Sequence, residues 1–521
     1  MAFDRTAAQG FLYTDLYQLT MAQLYFEEGL HEQEAAFEYF YRRNPDYGQH
    51  QAGYTIFAGL ERLLDRIEET TVTDADVEYL AGLRGSSGQP LFRRPFLGWL
   101  QDQGPIYREL EVRALLEGRV AHPNTPLVTV RGPLAKAQLI ETALLNDLNY
   151  PTLIAAKAAR LREAAGEARV VDFGMRRGQS SGVTAGSRAA LIGGVDASSY
   201  MGVSASTGVQ PAGTHAHSMV QAFIANGGGE LAAFRAYARY YPDDCVLLVD
   251  TIDTLGSGLP NAITVFRELI DRGHRPLGIR LDSGDLAHLS VECAIELDRA
   301  GLTDVGITLS NQLDELTIWQ IRAQIEQEAR ARGIDPQGVL ARLNYGVGTR
   351  LMVSSGAPAL DGVYKLVAVR SNGDWQPAIK VSDSPTKTIN PGVKTLYRVY
   401  DERGMATADL VALEGQNPDA SAPLTLCHHS KPDVGRTLQP EQVSGLEPLH
   451  ESVWANAQRQ LPRESMELLR ERRRRDQERL DLGVRRLINP HVYHVSITPA
   501  IAQLKARLIE ERNEVALPGA P

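Results

Sequence analysis

Between about residues 150 and 370 the chain repeats one pattern, a short run rich in Val, Ile and Leu followed by a longer segment with apolar residues every three or four positions. The short runs predict strands: ARVVDF (168–173), CVLLVD (245–250), LGIRLD (277–282), VGITLSN (305–311) and YKLVAV (364–369). The longer ones, NAITVFRELIDRG, DLAHLSVECAIELDRAG and LDELTIWQIRAQIEQEARARG, have the spacing of amphipathic crossover helices. Strands that alternate with helices pair in parallel, so the pattern predicts an α/β fold built on a parallel sheet or barrel.

Each predicted strand ends in polar or glycine residues: Asp172, Asp250, Asp282, Ser310 with Asn311, and the NYGVGT loop at 344–349. A β/α barrel assembles its active site at this edge. An open doubly wound sheet puts its ligand there too, so the strand ends locate a site without fixing the architecture. Asp, Ser and Gly also start turns and cap helices, which explains any one of them but less well the whole series.

Outside this region the pattern changes. Residues 11–105 mix aromatic-rich segments with an amphipathic stretch at 56–83; 112–132 reads as β-structure around a Pro-bounded turn, and 133–148 as a helix. After 375 the chain is rich in Lys, Pro and Thr, from 412 to 446 it is polar with Pro, and 452–487 is mostly helix-compatible. The run Arg472 to Arg475 is interspersed with Glu and Asp, as on a solvated helix face. At 521 residues the chain has room for several packed units. A net charge of −10 argues against a general nucleic-acid binder. Three distant cysteines, Cys245, Cys293 and Cys427, exclude a disulfide scaffold and fit a reducing compartment. MAFDRTAAQGFLYTDLY lacks the form of a signal peptide, and no apolar run approaches the ~20 residues of a membrane helix, so a cytoplasmic protein without a membrane partner is expected.

Several constellations can carry chemistry. GVGT (346–349) can offer backbone N–H groups to a phosphate, or be a plain turn; it lacks the Lys-Ser of a nucleoside triphosphate P-loop. Lys365, Lys380, Lys387 and Lys394 crowd a Thr/Ser/Pro/Gly context near it and suggest a polyphosphate clamp, although single lysines are commonly surface residues. Asp250, Asp253, Asp282 and Asp285 can bind Mg²⁺ through water or hold sugar hydroxyls. His215 and His217 are poorly spaced for two metal ligands on one helix; a histidine at a helix start can act as acid, base or phosphate acceptor, or be a satisfied loop residue. CHHS (427–430) reads as structural. In DFGMRRGQSS (172–181), Phe173 can stack on a flat ring and an arginine can pair with a carboxylate or phosphate, against a bland pairing of core Phe with surface Arg.

Taken in order, YTDLYQLTMAQ, FEYFYRRNP, EGRVAHPNTPLVTVRGPLAKAQLIETALLNDLNYPT, DFGMRRGQ, GGVDASS, AGTHAHS, DTIDTLGSGLPNAI, GIRLDSGDL, LSNQLDE, NYGVGTRL and AIKVSDSPTKTINPGVKTLYR resemble the nicotinate phosphoribosyltransferases from about residue 10 to 400. The resemblance implies the type II phosphoribosyltransferase fold, an irregular β/α barrel (151–363) beside a discontinuous α/β domain that begins in 1–150. Residues 364–521 then carry the Lys-rich segment back to that domain and end in a helical C-terminal region. It also implies the reaction: nicotinate and 5-phosphoribosyl-1-diphosphate give nicotinate mononucleotide and diphosphate, coupled to ATP hydrolysis, as the entry step of NAD salvage.

Carried over by position, Phe173 stacks on the pyridine ring and Tyr17 covers its other face from a neighbouring subunit of a homodimer. Arg280 and Arg176 serve the nicotinate carboxylate and phosphates. Asp282 and Asp250 serve the ribose hydroxyls and Mg²⁺, with Asp196 nearby and Ser310 at the same strand edge. Gly346 and Gly348, with Thr349, cradle the 5-phosphate, and Lys365, Lys380 and Lys387 the di- or triphosphate. His217 matches the histidine that ATP phosphorylates. Two arginines in DFGMRRGQ favour the acid over the amide of nicotinamide phosphoribosyltransferase, whose motifs are similar. A non-catalytic sensor on the same fold is the rival of another class.

Overall fold

The computed structural model describes residues 10–48, 50–180, 182–380, 388–431 and 434–516. The chain forms two compact units, one from residues 1–153 and 359–521, the other from 154–358.

The second unit holds the predicted parallel sheet. Its strands are Arg169–Asp172, Ala197–Ser198, Val246–Leu248, Gly278–Leu281, Gly306–Ser310 and Leu343–Val347. Val170, Leu247, Ile279, Leu281, Ile307, Leu309, Tyr345 and Val347 are fully or almost fully buried, as expected of strands covered on both faces. Between the later strands run the helices Leu259–Asp271, Leu286–Arg299 and Glu315–Ala331. The first buries Leu259, Ala262, Val265, Phe266 and Leu269, the three- and four-residue stripe visible in the sequence. Asp285 and Asp314 begin the other two by accepting backbone N–H groups of the first turn.

Sheet order departs from a closed barrel. Starting from Ala197–Ser198, the neighbours are Arg169–Asp172, Leu343–Val347, Gly306–Ser310, Gly278–Leu281 and Val246–Leu248, all parallel. This is the order of a ring cut once, and among the described residues no ladder joins Ala197–Ser198 to Val246–Leu248. The parallel sheet stands; closure into a barrel is not drawn by its hydrogen bonds.

Two strand expectations change. NYGVGT is a strand through Val347, paired with both Ser310 and Asp172 neighbours, and only Gly348 and Thr349 leave it. Its two glycines hid it, because glycine disfavours strand interiors. YKLVAV lies within the strand Gly362–Ser371, which pairs antiparallel with Glu34–Tyr41 in the first unit instead of joining the parallel sheet. Apolar composition alone does not choose a strand's partner.

The first unit contains a seven-stranded sheet, in which Glu34–Tyr41 lies between Gly362–Ser371 and Val128–Pro133, and a six-stranded sheet centred on Ala406–Leu413 and His494–Ile497. Parts of the polar stretch from 412 to 446 are strand, Leu424–His428 and Gly435–Leu438 among them. Among the described residues, helical structure near the C-terminus is confined to Met466–Glu478, Leu482–Arg485 and Pro499–Ala516, and 452–459 is largely strand. Arg472 pairs with Glu464, and Arg474 with Glu471 and Glu478, so this basic run is largely neutralised on its own face.

Candidate active site

At the carboxyl ends of the parallel strands, Asp250 follows Val246–Leu248 and Asp282 follows Gly278–Leu281. The Asp250 side chain is 2% exposed, and its Oδ1 lies 3.1 Å from His217 Nε2. Its Oδ2 accepts from the Asp282 N–H at 3.0 Å and the Ser283 hydroxyl at 2.6 Å. A carboxylate so engaged orients the histidine, because it accepts a hydrogen bond from Nε2–H. His217 opens the helix His217–Ala225, where backbone N–H groups favour an anion.

Arg280 is the second centre. Its Nε donates to Ser310 Oγ at 2.9 Å, one terminal nitrogen to Thr214 Oγ1 at 3.2 Å, and the other to Asp282 Oδ1 at 3.3 Å. Ser310 Oγ also donates to Asp282 Oδ1 at 2.6 Å, which leaves Asp282 Oδ2 without a partner among the described residues. The guanidinium carbon sits 5.2 Å from the centre of the Phe173 ring. Parallel register explains the meeting, since Arg280 stands opposite Thr308 and Leu248, so the three strand ends are level.

Phe173 is held from behind. Asp172, fully buried, accepts from Gly174 N–H at 2.7 Å, Ser187 Oγ at 2.7 Å and Ser198 Oγ at 2.8 Å. Burial pushes its pKa up, against these three donors that favour the charged form. The Phe173 ring fills the space where a side chain of Gly346 would stand: a Cβ there would lie 2.3 Å from Cε2 and 2.5 Å from Cδ2. At Gly348 a Cβ would meet only the Phe173 backbone at 3.4 Å, an ordinary contact, so that residue's own packing does not demand glycine. Thr349 begins the short helix Thr349–Met352, and Arg350 next to it pairs with Asp314.

The other predicted residues lie on separate elements. The Asp196 carboxylate accepts from Val170 N–H at 2.7 Å and pairs with Arg162, whose guanidinium also bonds the carbonyls of Gly166 and Ala168. That places Asp196 at the opening of the strand Arg169–Asp172, the opposite end from the site. Arg176 is exposed in the turn Met175–Arg177. Asp253 and Asp285 cap helical turns. The backbone N–H of His288, first among several donors, holds the Asp285 carboxyl below its ordinary value. His215 is buried and its Nε2 accepts from the Leu248 N–H at 3.1 Å; burial pushes its pKa down to about 4. In the first unit, Tyr17 is 48% exposed on the helix Leu16–Glu27, Lys365 lies 3.6 Å from Glu141, and Lys380 is exposed. Lys394 is buried against Glu38 at 2.9 Å, so it belongs to the core. Lys387 lies outside the described residues.

Thr214, Ser283, Ser198 and Ser187 were not singled out in the sequence. The first three sit inside the quoted motifs, and the signal for them was the run of small hydroxyl residues beside each charged one.

Sheet and rim together define the class, an α/β protein with polar side chains gathered at the carboxyl ends of its parallel strands, the edge at which such sheets take ligands. Family comparison makes it specific. The nicotinate phosphoribosyltransferase family model matches residues 168–404, with its N-terminal domain on 12–149 and its C-terminal domain on 393–505. The nicotinate phosphoribosyltransferase of Bacillus subtilis (strain 168) is 40% identical over 420 residues, covering 80% of this chain and 79% of its own. That of Homo sapiens is 33% identical over 553 residues, covering 96% of each. The crystal structure of human nicotinic acid phosphoribosyltransferase superposes with a TM-score of 0.78 at 31% identity, over 95% of this chain and 99% of that one. The chain belongs to the nicotinate phosphoribosyltransferase family.

Proposed function

We propose that this chain joins nicotinate to 5-phosphoribosyl-1-diphosphate, releasing nicotinate mononucleotide and diphosphate, and that ATP drives the step through a phosphorylated His217. The observation that carries the proposal is Arg280, a cation fixed by Ser310, Thr214 and Asp282 and set over the Phe173 ring. A flat ring bearing a carboxylate fits a site that offers an aromatic ring and a guanidinium side by side. Exposed Arg176 adds a second cation for carboxylate or phosphate.

In this reaction the pyridine nitrogen attacks the anomeric carbon as the diphosphate oxygen leaves. The sugar centre passes through cation-like character, so positioning and neutralisation of the leaving group matter more than a strong base. Phe173 orients the ring, the Asp282 carboxylate faces the ribose, and the bare backbone of Gly348 and Thr349 receives the 5-phosphate. Mg²⁺ binds through few protein ligands and mostly through phosphates and water. The donor set fits it at Asp282 Oδ2, the oxygen without a partner among the described residues, better than at Asp250, whose two oxygens are engaged. When bound, it screens the charge of the departing diphosphate. His217 Nδ1, with Asp250 holding Nε2, attacks the γ-phosphorus of ATP as ADP leaves, and water later returns the phosphate.

Tyr17 and Lys365, with Lys380 and Lys387, take the ring-covering and phosphate-holding roles that the family resemblance gives them. Leu16, Tyr17 and Leu24, all about half exposed along the helix Leu16–Glu27, support a homodimer in which that helix meets a second copy. The setting is cytoplasmic NAD salvage; among the described residues no helix is long and apolar enough to cross a membrane.

The test follows mononucleotide from phosphoribosyl diphosphate and Mg²⁺ with either nicotinate or nicotinamide, with and without ATP. ATP-stimulated product from the acid is expected. Product from the amide alone would move the substrate assignment, and product from neither would favour a ligand sensor.

A further inference from the structure

The residues given to Tyr17 and Lys365 are far apart in sequence, on a helix near the start of the chain and on the strand Gly362–Ser371. In the first unit one carboxylate joins their surroundings. Glu141, the first residue of the helix Glu141–Ala165, accepts from Gln18 Nε2 at 2.9 Å with one oxygen and faces Lys365 Nζ at 3.6 Å with the other. Gln18 is fully buried beside Tyr17, and the Glu141 side chain is 15% exposed, so neither end swings freely. The same helix start is tied to the Tyr17 helix again by Thr142 Oγ1, which donates to Asp15 Oδ2 at 2.8 Å. Burial first, and the Glu141 charge second, raise the pKa of the Tyr17 phenol, as a nearby carboxylate requires.

From this geometry we infer that Glu141 is a positioning residue for the reaction: it sets Lys365 and the Tyr17 helix at one fixed spacing, so that the phosphate-binding cation and the ring cover act as one piece. The ion pair is long and Lys365 is one-third exposed, so its ammonium is held in place yet stays available to an incoming phosphate. The inference rests on the proposed roles of Tyr17 and Lys365, and its test separates the two.

The experiment is a double-mutant cycle on the full chain, with E141Q, K365M and the pair, read as KM for phosphoribosyl diphosphate and for nicotinate, kcat, and melting temperature. E141Q keeps the size of the side chain and an acceptor for Gln18 and removes the charge that faces Lys365. The expected result is a rise of about fivefold in KM for phosphoribosyl diphosphate in the wild-type background and less than about twofold in the K365M background, with kcat nearly unchanged. Equal factors in both backgrounds, or a fall in kcat with KM unmoved, would overturn the inference. If E141Q lowers the melting temperature sharply, Q18M tests the other arm. It leaves the Glu141–Lys365 pair in place and is expected to raise KM for nicotinate about fivefold, with KM for phosphoribosyl diphosphate changed by less than about twofold. Equal rises in both constants would overturn it. Absence of product from wild type instead rejects the proposed function itself.

Discussion

His217 Nε2 lies 3.1 Å from Asp250 Oδ1, and that carboxylate is almost wholly buried while the imidazole is about one-third exposed. The buried partner holds the ring at Nε2 and leaves the imidazole reachable, an arrangement by which a carboxylate can orient a histidine.

Asp250→Asn presents an amide that donates or accepts at nearly the same volume. It removes the charge that favours Nε2–H, and the ATP-stimulated rate is expected to fall by about 100-fold. The rate without ATP changes less. Steady-state kinetics with and without ATP checks both.

Gly346→Ala puts a methyl group where the edge of Phe173 now stands. The ring must shift, and overpacking of this kind costs about 1–3 kcal/mol. KM for nicotinate is expected to rise about tenfold, with KM for phosphoribosyl diphosphate altered less. Gly348→Ala makes a useful contrast: its Cβ meets no side chain, so stability is kept while phosphate binding weakens.

Glu315 is fully buried with Lys157 Nζ at 2.7 Å and Arg160 Nε at 2.9 Å, directly after Asp314, the partner of Arg350. Glu315→Gln removes the charge that Lys157 and Arg160 share, and breaking a buried pair costs about 3–5 kcal/mol. Denaturant unfolding of the full chain measures this. The two rim segments that Asp314 and Arg350 join, 310–315 and 346–350, are expected to lose protection from hydrogen exchange first.

Acid stability follows from the histidines. Burial pushes His215 down to about 4 from its ordinary 6.5, so the fold favours the neutral ring. The unfolded chain takes up a proton in this window that the folded chain refuses. Stability is therefore full above pH 6.5 and is lost as the pH falls toward 4. His450 and His429, both pushed down to about 4 by burial, have the same sign. Melting temperature is expected to fall across this window, and His215→Gln, whose side-chain oxygen can accept from the Leu248 N–H, to flatten part of the slope.

Strands and crossover helices of the second unit were legible because parallel strands buried on both faces read as unbroken apolar runs. The rim was legible because Asp250, Asp282 and Ser310 follow those runs directly. Leu343–Val347 was hidden by Gly346 within it and Gly348 just after it, and GGVDASS lies near a strand end without saying at which end Asp196 stands. Sequence also could not show that Asp250 serves His217, that Lys394 is core, or that Glu141 reaches Lys365. Each of these depends on pairings between segments dozens to hundreds of residues apart, which no local pattern encodes.

The most direct measurement of ATP coupling at His217 uses γ-labelled ATP with the purified chain and Mg²⁺, followed by mapping of acid-labile label and its discharge on adding nicotinate and phosphoribosyl diphosphate. The predicted result is label on His217, weak in Asp250→Asn, lost as mononucleotide forms. No label on His217, together with full ATP stimulation in His217→Ala, would contradict it.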